Sequence, residues 1–381
     1  MMISLATFLS LTLAVSPTFS FVDDEPAVAA IRTVEPPVVE LVICLDTSGS
    51  MSGLINAARQ KLWVIVNELA TAKPSPKLRV ALLTFGNDGH DQAEGWVRVD
   101  SDFTDDLDLV SERLFALTTN GGTELVGRVI QASLDKLSWS TSSDGMRLLF
   151  VAGNESADQD QEVPYAEAVR RAIERSITVS SIYCGPATDD IAPGWKNVAL
   201  LADGTFASID QDNGTVVVET PFDAEITQLN EGLNATYLRF GQEGLEAQNR
   251  QVAQDVNCKV MNSEAIATRA VWKANGLYNC ASWDLVDALK QEGFDWEKLD
   301  RKTLPEAVRE LSQEELEKHA KELGEKREEL QKKILELGKK RDAFVAEKMK
   351  EQAGGRDQAF DAAVLGAIRA QGESRGLTFE K

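Results

Sequence analysis

Between Val38 and Leu45 the chain is almost continuously apolar and rich in β-branched residues, and the run stops at Asp46. A short run without hydrophobic–polar alternation predicts a strand buried on both faces, as in a parallel sheet. LRVALLTFG (78–86), MRLLFVAGN (146–154), SITVSSIYCG (176–185) and the shorter GTFASID (204–210) repeat the pattern. GWVRVDSDF (95–103) alternates instead, which predicts an edge strand with one wet face. Helical spacing fills the gaps. Leu54–Ala70 carries Leu54, Leu62, Ile65, Val66 and Leu69 at intervals of about a turn, and it ends at Lys73-Pro74-Ser75-Pro76. Thr104 is placed to cap an acidic turn, Asp105-Asp106, and a helix to Ala116. Further helices follow the loop TTNGGTE (118–124), open at Pro164, and span Trp195–Leu201. Strands alternating with helices predict an α/β fold over 38–215, a doubly wound, mostly parallel six-stranded sheet of Rossmann-like build.

Past this region the pattern changes. Residues 216–300 read as a mixed helical extension, and 301–381 as a charged, coiled-coil-like helical region. Ser312 and Glu315 form a capping box at the head of a long helix. Leu316, Leu323, Leu330, Leu337 and Phe344 recur every seven residues, with Ala320 and Ile334 between them. Arg327 and Arg341 interrupt the second position of that heptad stripe, and Gly324 and Gly338 lie inside the helix. These four residues favour a stripe packed on its own domain over a homotypic coiled coil. A last short amphipathic helix carries Phe360, Val364 and Ile368.

At the other end, Ile3–Val15 is too short to cross a bilayer but suits the core of a signal peptide over residues 1–20, with a linker over 21–37. Export follows as the expectation, to a periplasm, a cell surface or the medium. No other stretch is long and apolar enough to span a membrane.

The 381 residues carry a formal net charge of −21, which excludes nucleic acid as an expected partner because phosphate binding needs clustered Lys and Arg. Of the four cysteines, Cys44 and Cys184 fall inside predicted strands and read as buried thiols. Cys258 and Cys280 lie in polar sequence and, in an exported chain, form a candidate disulfide. The two histidines, His90 and His319, belong to no Ser/His/Asp, Cys/His or H-E-x-x-H set, and no P-loop is present. The expectation is a protein that is not an enzyme.

One stretch does carry chemistry. In LDTSGSMSG (45–53), Asp46, Ser48 and Ser50 follow the first strand, where open α/β sheets bind ligands. One carboxylate and two hydroxyls make a partial shell for a hard cation such as Mg²⁺. This D-x-S-x-S segment resembles the metal-ion-dependent adhesion site of the von Willebrand factor A family. Gly121-Gly122-Thr123 matches the later family loop whose threonine adds to the metal shell. The resemblance covers about 38–215 and implies Mg²⁺ or Mn²⁺ held by Asp46, Ser48, Ser50 and Thr123. It further implies a protein or peptide partner whose acidic side chain completes the shell.

There is one departure. The family's Thr-Asp-Gly is here Val151-Ala152-Gly153-Asn154, so Gly153 replaces an Asp that supports the metal. Asn154, Glu155 and Asp158 are the nearby substitutes. Without one, the ion is expected to be held weakly and to be more electrophilic towards an outside anion. The whole arrangement also resembles exported bacterial A-domain proteins whose C-terminal helical region contains a Trp-Asp-Leu-Val-Asp segment, here Trp283–Asp287. The alternative to a metal-dependent binding module is an assembly protein. It would self-associate as a homo-oligomer through the C-terminal helices around a metal-free scaffold.

Overall fold

Among its described residues the computed structural model has eight strands and twelve α-helices, all within the unit that begins at Pro36. It describes residues 36–141, 145–209, 217–291, 293–352 and 360–379. The expected signal peptide and nearly all of the linker lie outside them.

The main sheet has the order β4-β3-β1-β5-β6-β7. Its strands are β1 (Val38–Asp46), β3 (Lys77–Phe85), β4 (Arg98–Thr104), β5 (Met146–Gly153), β6 (Thr178–Tyr183) and β7 (Phe206–Ser208). All pairs are parallel except β3 with β4, which is antiparallel and irregular in register. The alternating strand therefore sits at the edge, where one face meets water. Two further strands, β2 (Ala72–Lys73) and β8 (Thr378–Phe379), pair antiparallel and tie the end of the chain to the A-domain-like half.

Both faces of the sheet are covered. On one lie α1 (Ser52–Ala70) and α2 (Leu107–Ala116), and on the other α3 (Val126–Lys136), α4 (Tyr165–Glu174) and α5 (Ala192–Leu200). Leu54, Leu62, Trp63, Val66 and Leu69 of α1 are all buried, and each such side chain stabilises the fold by roughly 1.5–3 kcal/mol. The last helix, α12 (Phe360–Ser374), returns to this face, with Val364 and Ile368 in the same core as α1. Arg369 pairs with Glu68 of α1 and Arg375 donates to the Gly145 carbonyl.

The remaining helices are α6 (Asp223–Asn234), α7 (Gly244–Met261), α8 (Ser263–Ala274), α9 (Leu285–Ala288), α10 (Glu306–Arg309) and α11 (Gln313–Gln352). The capping box at α11 forms: Glu315 N–H donates to Ser312 Oγ at 3.2 Å, and Ser312 N–H donates to Glu315 Oε2 at 2.8 Å. The heptad stripe of α11 faces α6, α8 and α9 of the same chain. The interrupting arginines are buried in it. Arg327 binds Asp284 and Asp287, both at 2.7 Å, and lies 4.1 Å from the centre of the Tyr237 ring. Arg341 binds Asp223 at 3.0 Å. Gly338 lets α8 approach, since a Cβ there would come within 2.8 Å of Val271. The Trp-Asp-Leu-Val-Asp segment is thus the receptor for Arg327, with Trp283 stacked on Tyr237 at 5.6 Å.

Three further details differ from the sequence-based expectation or sharpen it. The cap of α2 is Asp106, whose carboxylate accepts from the Asp108 and Leu109 N–H groups, while Thr104 Oγ1 accepts from Asp106 N–H one turn earlier. Cys258 and Cys280 are free buried thiols. They belong to different cores, Cys258 beside Trp63 and Cys280 among the helices around Tyr237, so no disulfide links them. Cys44, in β1, and Cys184, one residue past the end of β6, are also free and buried, with β5 between those two strands.

Candidate metal centre

The connection from β1 runs to β3 on one side of it, and that from β5 runs to β6 on the other. The crevice at the carboxyl ends of β1 and β5 is therefore a topological switch point, where such sheets bind ligands. Asp46 ends β1 and Gly153 ends β5 on its two sides. Three loops are knitted together there. Thr47 N–H donates to Phe85 O at 2.8 Å, Asn120 N–H to Thr47 O at 3.0 Å, and Gly49 N–H to Gly121 O at 3.0 Å. Asn87 Nδ2 reaches both Thr47 O at 3.1 Å and Thr118 O at 2.9 Å. Gly121 has φ +81°, and a Cβ on it would fall within 2.3 Å of the Asp88 carboxyl, so the close approach depends on glycine.

Asp46 is fully buried. Its Oδ1 accepts from the Ser48 N–H at 2.7 Å, which folds the Ser-Gly turn back over the strand end. Ser48 Oγ and Ser50 Oγ lie 3.5 Å apart, so the three expected residues of the first loop converge. Thr123 is half-buried. It stands between Gly121, bonded to the Ser-Gly turn, and Glu124, whose carboxyl meets those of Asp46 and the Ser48 hydroxyl. Of the substitutes near Gly153, only Asn154 makes a side-chain hydrogen bond within the loop set: its Nδ2 donates to Ser50 Oγ at 2.9 Å. The Glu155 side chain is exposed, and Asp158 lies against Gly194 of α5.

Glu124 is the residue that sequence reasoning passes over. It is 3 % exposed, although it follows directly on a loop threonine. Burial pushes its carboxyl up to about 9, reinforced by a hydrogen bond to Asp46 and by the negative charges of Asp46 and Glu155. Burial also raises Asp46, against the opposing effect of Glu124 and Ser48 as hydrogen-bond partners. Two carboxyls share a hydrogen bond only while one holds a proton. As ions they leave Asp46 Oδ2 and Glu124 Oε2 buried with no hydrogen-bond partner, and Asn154 Oδ1 is in the same condition. Buried acceptors in that state cost about 1–3 kcal/mol each, more when charged.

No group of three or more His, Cys, Asp or Glu suited to a metal occurs among the described residues. The cluster instead combines two carboxyls with hydroxyl and amide oxygens. Those oxygen donors, several lacking a proton donor, fit a hard divalent cation. His90 serves no such purpose: it is buried, and its Nδ1 donates to Trp96 O at 3.1 Å.

The model of the von Willebrand factor type A domain matches residues 40–212. These residues form a von Willebrand factor type A domain. No curated protein sequence gives a significant match. Among solved structures, the chain is similar to proximal thread matrix protein 1 from the mussel byssus, at 11% identity and TM-score 0.35, covering 46% of this chain and 43% of that one. A second crystal of that protein has zinc in the motif called MIDAS. The pilus adhesin SpaC from Lactobacillus rhamnosus GG matches at 14% identity and TM-score 0.38, over 47% of this chain and 29% of that one. The SpRpn10 VWA domain matches at 17% identity and TM-score 0.34, over 48% of this chain and all of that domain. The chain thus spans less than two thirds of the length of the mussel protein it matches.

Proposed function

We propose that this chain is a divalent-cation-dependent protein-binding module. Mg²⁺ or Mn²⁺ is held at the carboxyl end of β1 by Asp46, Ser48, Ser50 and Thr123, and an acidic side chain of a protein or peptide partner completes its shell. The observation that carries this is Asp46 Oδ2, a fully buried carboxylate oxygen with no hydrogen-bond partner, at the switch point of a von Willebrand factor type A domain. The cation supplies positive charge to an otherwise acidic site, and the loops fix the oxygens that receive it.

The net charge of −21 opposes an acidic partner at long range, but beyond about 8 Å in physiological salt that repulsion is screened. Assembly through α11 has less support, because its apolar stripe is covered by α6, α8 and α9. Export belongs to the same reading and rests on Ile3–Val15, outside the described residues; no helix among those described is long and apolar enough to cross a membrane. Sequencing the amino terminus of the mature protein checks it.

The test is thermal stability of the protein in EDTA and with Mg²⁺ or Mn²⁺, beside Asp46→Ala. Cation at about 100 times its Kd adds roughly 2.7 kcal/mol to the native state. A shift in the wild type that is absent from Asp46→Ala supports the reading, and no shift with either ion overturns it.

A further inference from the structure

We propose that Glu124 supplies the second carboxylate of the cation site, on the opposite side from the strand end that Gly153 leaves bare. This inference rests on the cation site itself and concerns what completes it.

The end of β5 offers no carboxylate and little room for one. A Cβ at Gly153 would lie 3.1 Å from Asp46 Oδ2, 3.2 Å from Asp46 Cβ and 3.1 Å from Cη2 of Trp195. The indole ring is held there by its own hydrogen bond, Nε1 to Glu155 O at 2.7 Å. An acidic side chain at 153 would compete with that ring for the same space. Asn154 is turned to Ser50, Glu155 is exposed, and the Asp158 carboxylate lies beside Gly194 of α5.

From the α3 side the situation is reversed. Gly86, at φ +76°, follows β3 with bare backbone, and a Cβ on it would strike Asp46 Oδ1 and Glu124 Cγ, each at 2.8 Å. That bare backbone is what lets the two carboxyls converge. Glu124 is nine-tenths buried or more, its Oε2 has no hydrogen-bond partner, and it faces an Asp46 whose Oδ2 has none either. Two buried carboxyls that meet one another and the Ser48 hydroxyl, with Asp46 Oδ2 and Glu124 Oε2 left without hydrogen-bond partners, are a donor set that a divalent cation satisfies.

Two carboxylates balance the charge of a divalent ion. The ion is therefore held by the protein alone, before any partner arrives, and its outer position is less electrophilic than a one-carboxylate shell would make it. That reverses the weak site expected from Gly153.

Calorimetric titration of Mg²⁺ and Mn²⁺ into the full chain, with Asp46→Asn and Glu124→Gln alongside, tests the assignment. Circular dichroism establishes that each variant is folded. We expect binding by the wild type, none by Asp46→Asn, and affinity lower by about tenfold or more in Glu124→Gln. Emission lifetimes of Eu³⁺ in H₂O and D₂O separate a ligand from a positioning residue: losing a ligand adds coordinated water, losing a support does not. Glu124→Gln binding Mg²⁺ and Mn²⁺ as the wild type does, while Asp46→Asn binds neither, overturns the role of Glu124 and leaves the site standing. Unchanged hydration of bound Eu³⁺ in Glu124→Gln overturns direct ligation. A wild type that binds neither Mg²⁺ nor Mn²⁺ overturns both.

Discussion

Replacing Arg269 with Met should separate the helical extension energetically from the von Willebrand factor domain. Arg269 is fully buried on α8. Its Nη1 lies 2.6 Å from Asp108 Oδ1 of α2, its Nε 2.6 Å from Asp255 Oδ1 of α7, and its Nη2 donates to Gln251 O at 2.9 Å. The guanidinium also lies 4.7 Å from the centre of the Trp63 ring of α1. Four elements meet on one side chain. Met keeps most of the volume and removes the charge, so the transfer of apolar surface nearly balances and the electrostatics decide the outcome. Asp255 keeps Lys273 at 2.8 Å, but Asp108 keeps only the Tyr278 hydroxyl at 2.7 Å. Breaking a buried pair by removing one partner costs about 3–5 kcal/mol, because the other charge stays buried without compensation. Urea unfolding followed by far-ultraviolet dichroism reads this as a lower midpoint at similar slope. Adding Asp108→Asn to Arg269→Met should recover part of the loss, since it neutralises the stranded charge. A loss below about 1 kcal/mol, or no recovery in the double variant, would refute the argument that this cluster cements the two halves.

The same cluster sets a pH dependence. Burial alone would raise the Asp255 carboxyl, but Lys273 and Arg269 outweigh it and hold it well below the usual carboxylate range. A depressed carboxyl stabilises the fold above its unfolded pKa of about 3.9 and loses that contribution as pH falls towards the folded value. The stability gap between wild type and Asp255→Asn should thus be constant above about pH 5 and narrow below about pH 4, as read by urea unfolding at each pH. A gap that widens in acid would contradict the sign. Gly338→Leu should destabilise by about 1–3 kcal/mol despite the better helix propensity of Leu, because the Cβ alone already meets Val271 at 2.8 Å. A stabilised variant would show that α11 is free to move off α8.

The sheet was legible because its strands are apolar runs with abrupt polar ends, and the single alternating run fell at the edge where it belongs. Asp46, Ser48 and Ser50 were legible for the same reason: the end of the central strand is where the polar residues crowd. Glu124 was not. An acidic residue at the start of a helix ordinarily complements the helix dipole in solvent. Only the bare backbone of Gly86 and the turn at Gly121 bring this one inside. The stripe of α11 was visible, but its arginines read as interruptions until Asp223, Asp284 and Asp287 appeared opposite them. Those partners come from distant sequence, and nothing in the local pattern around Arg327 or Arg341 announces them. Cys258 and Cys280 carry the same lesson: two cysteines in polar sequence pair only if the fold brings them together, and here it seats them in separate cores.

Anomalous diffraction from crystals of the full chain grown with Mn²⁺ locates the cation itself. One strong peak is expected in the crevice at the carboxyl end of β1, ringed by oxygens of Asp46, Ser48, Ser50, Thr123 and Glu124. A saturated crystal with no peak beside Asp46 would contradict a cation site there.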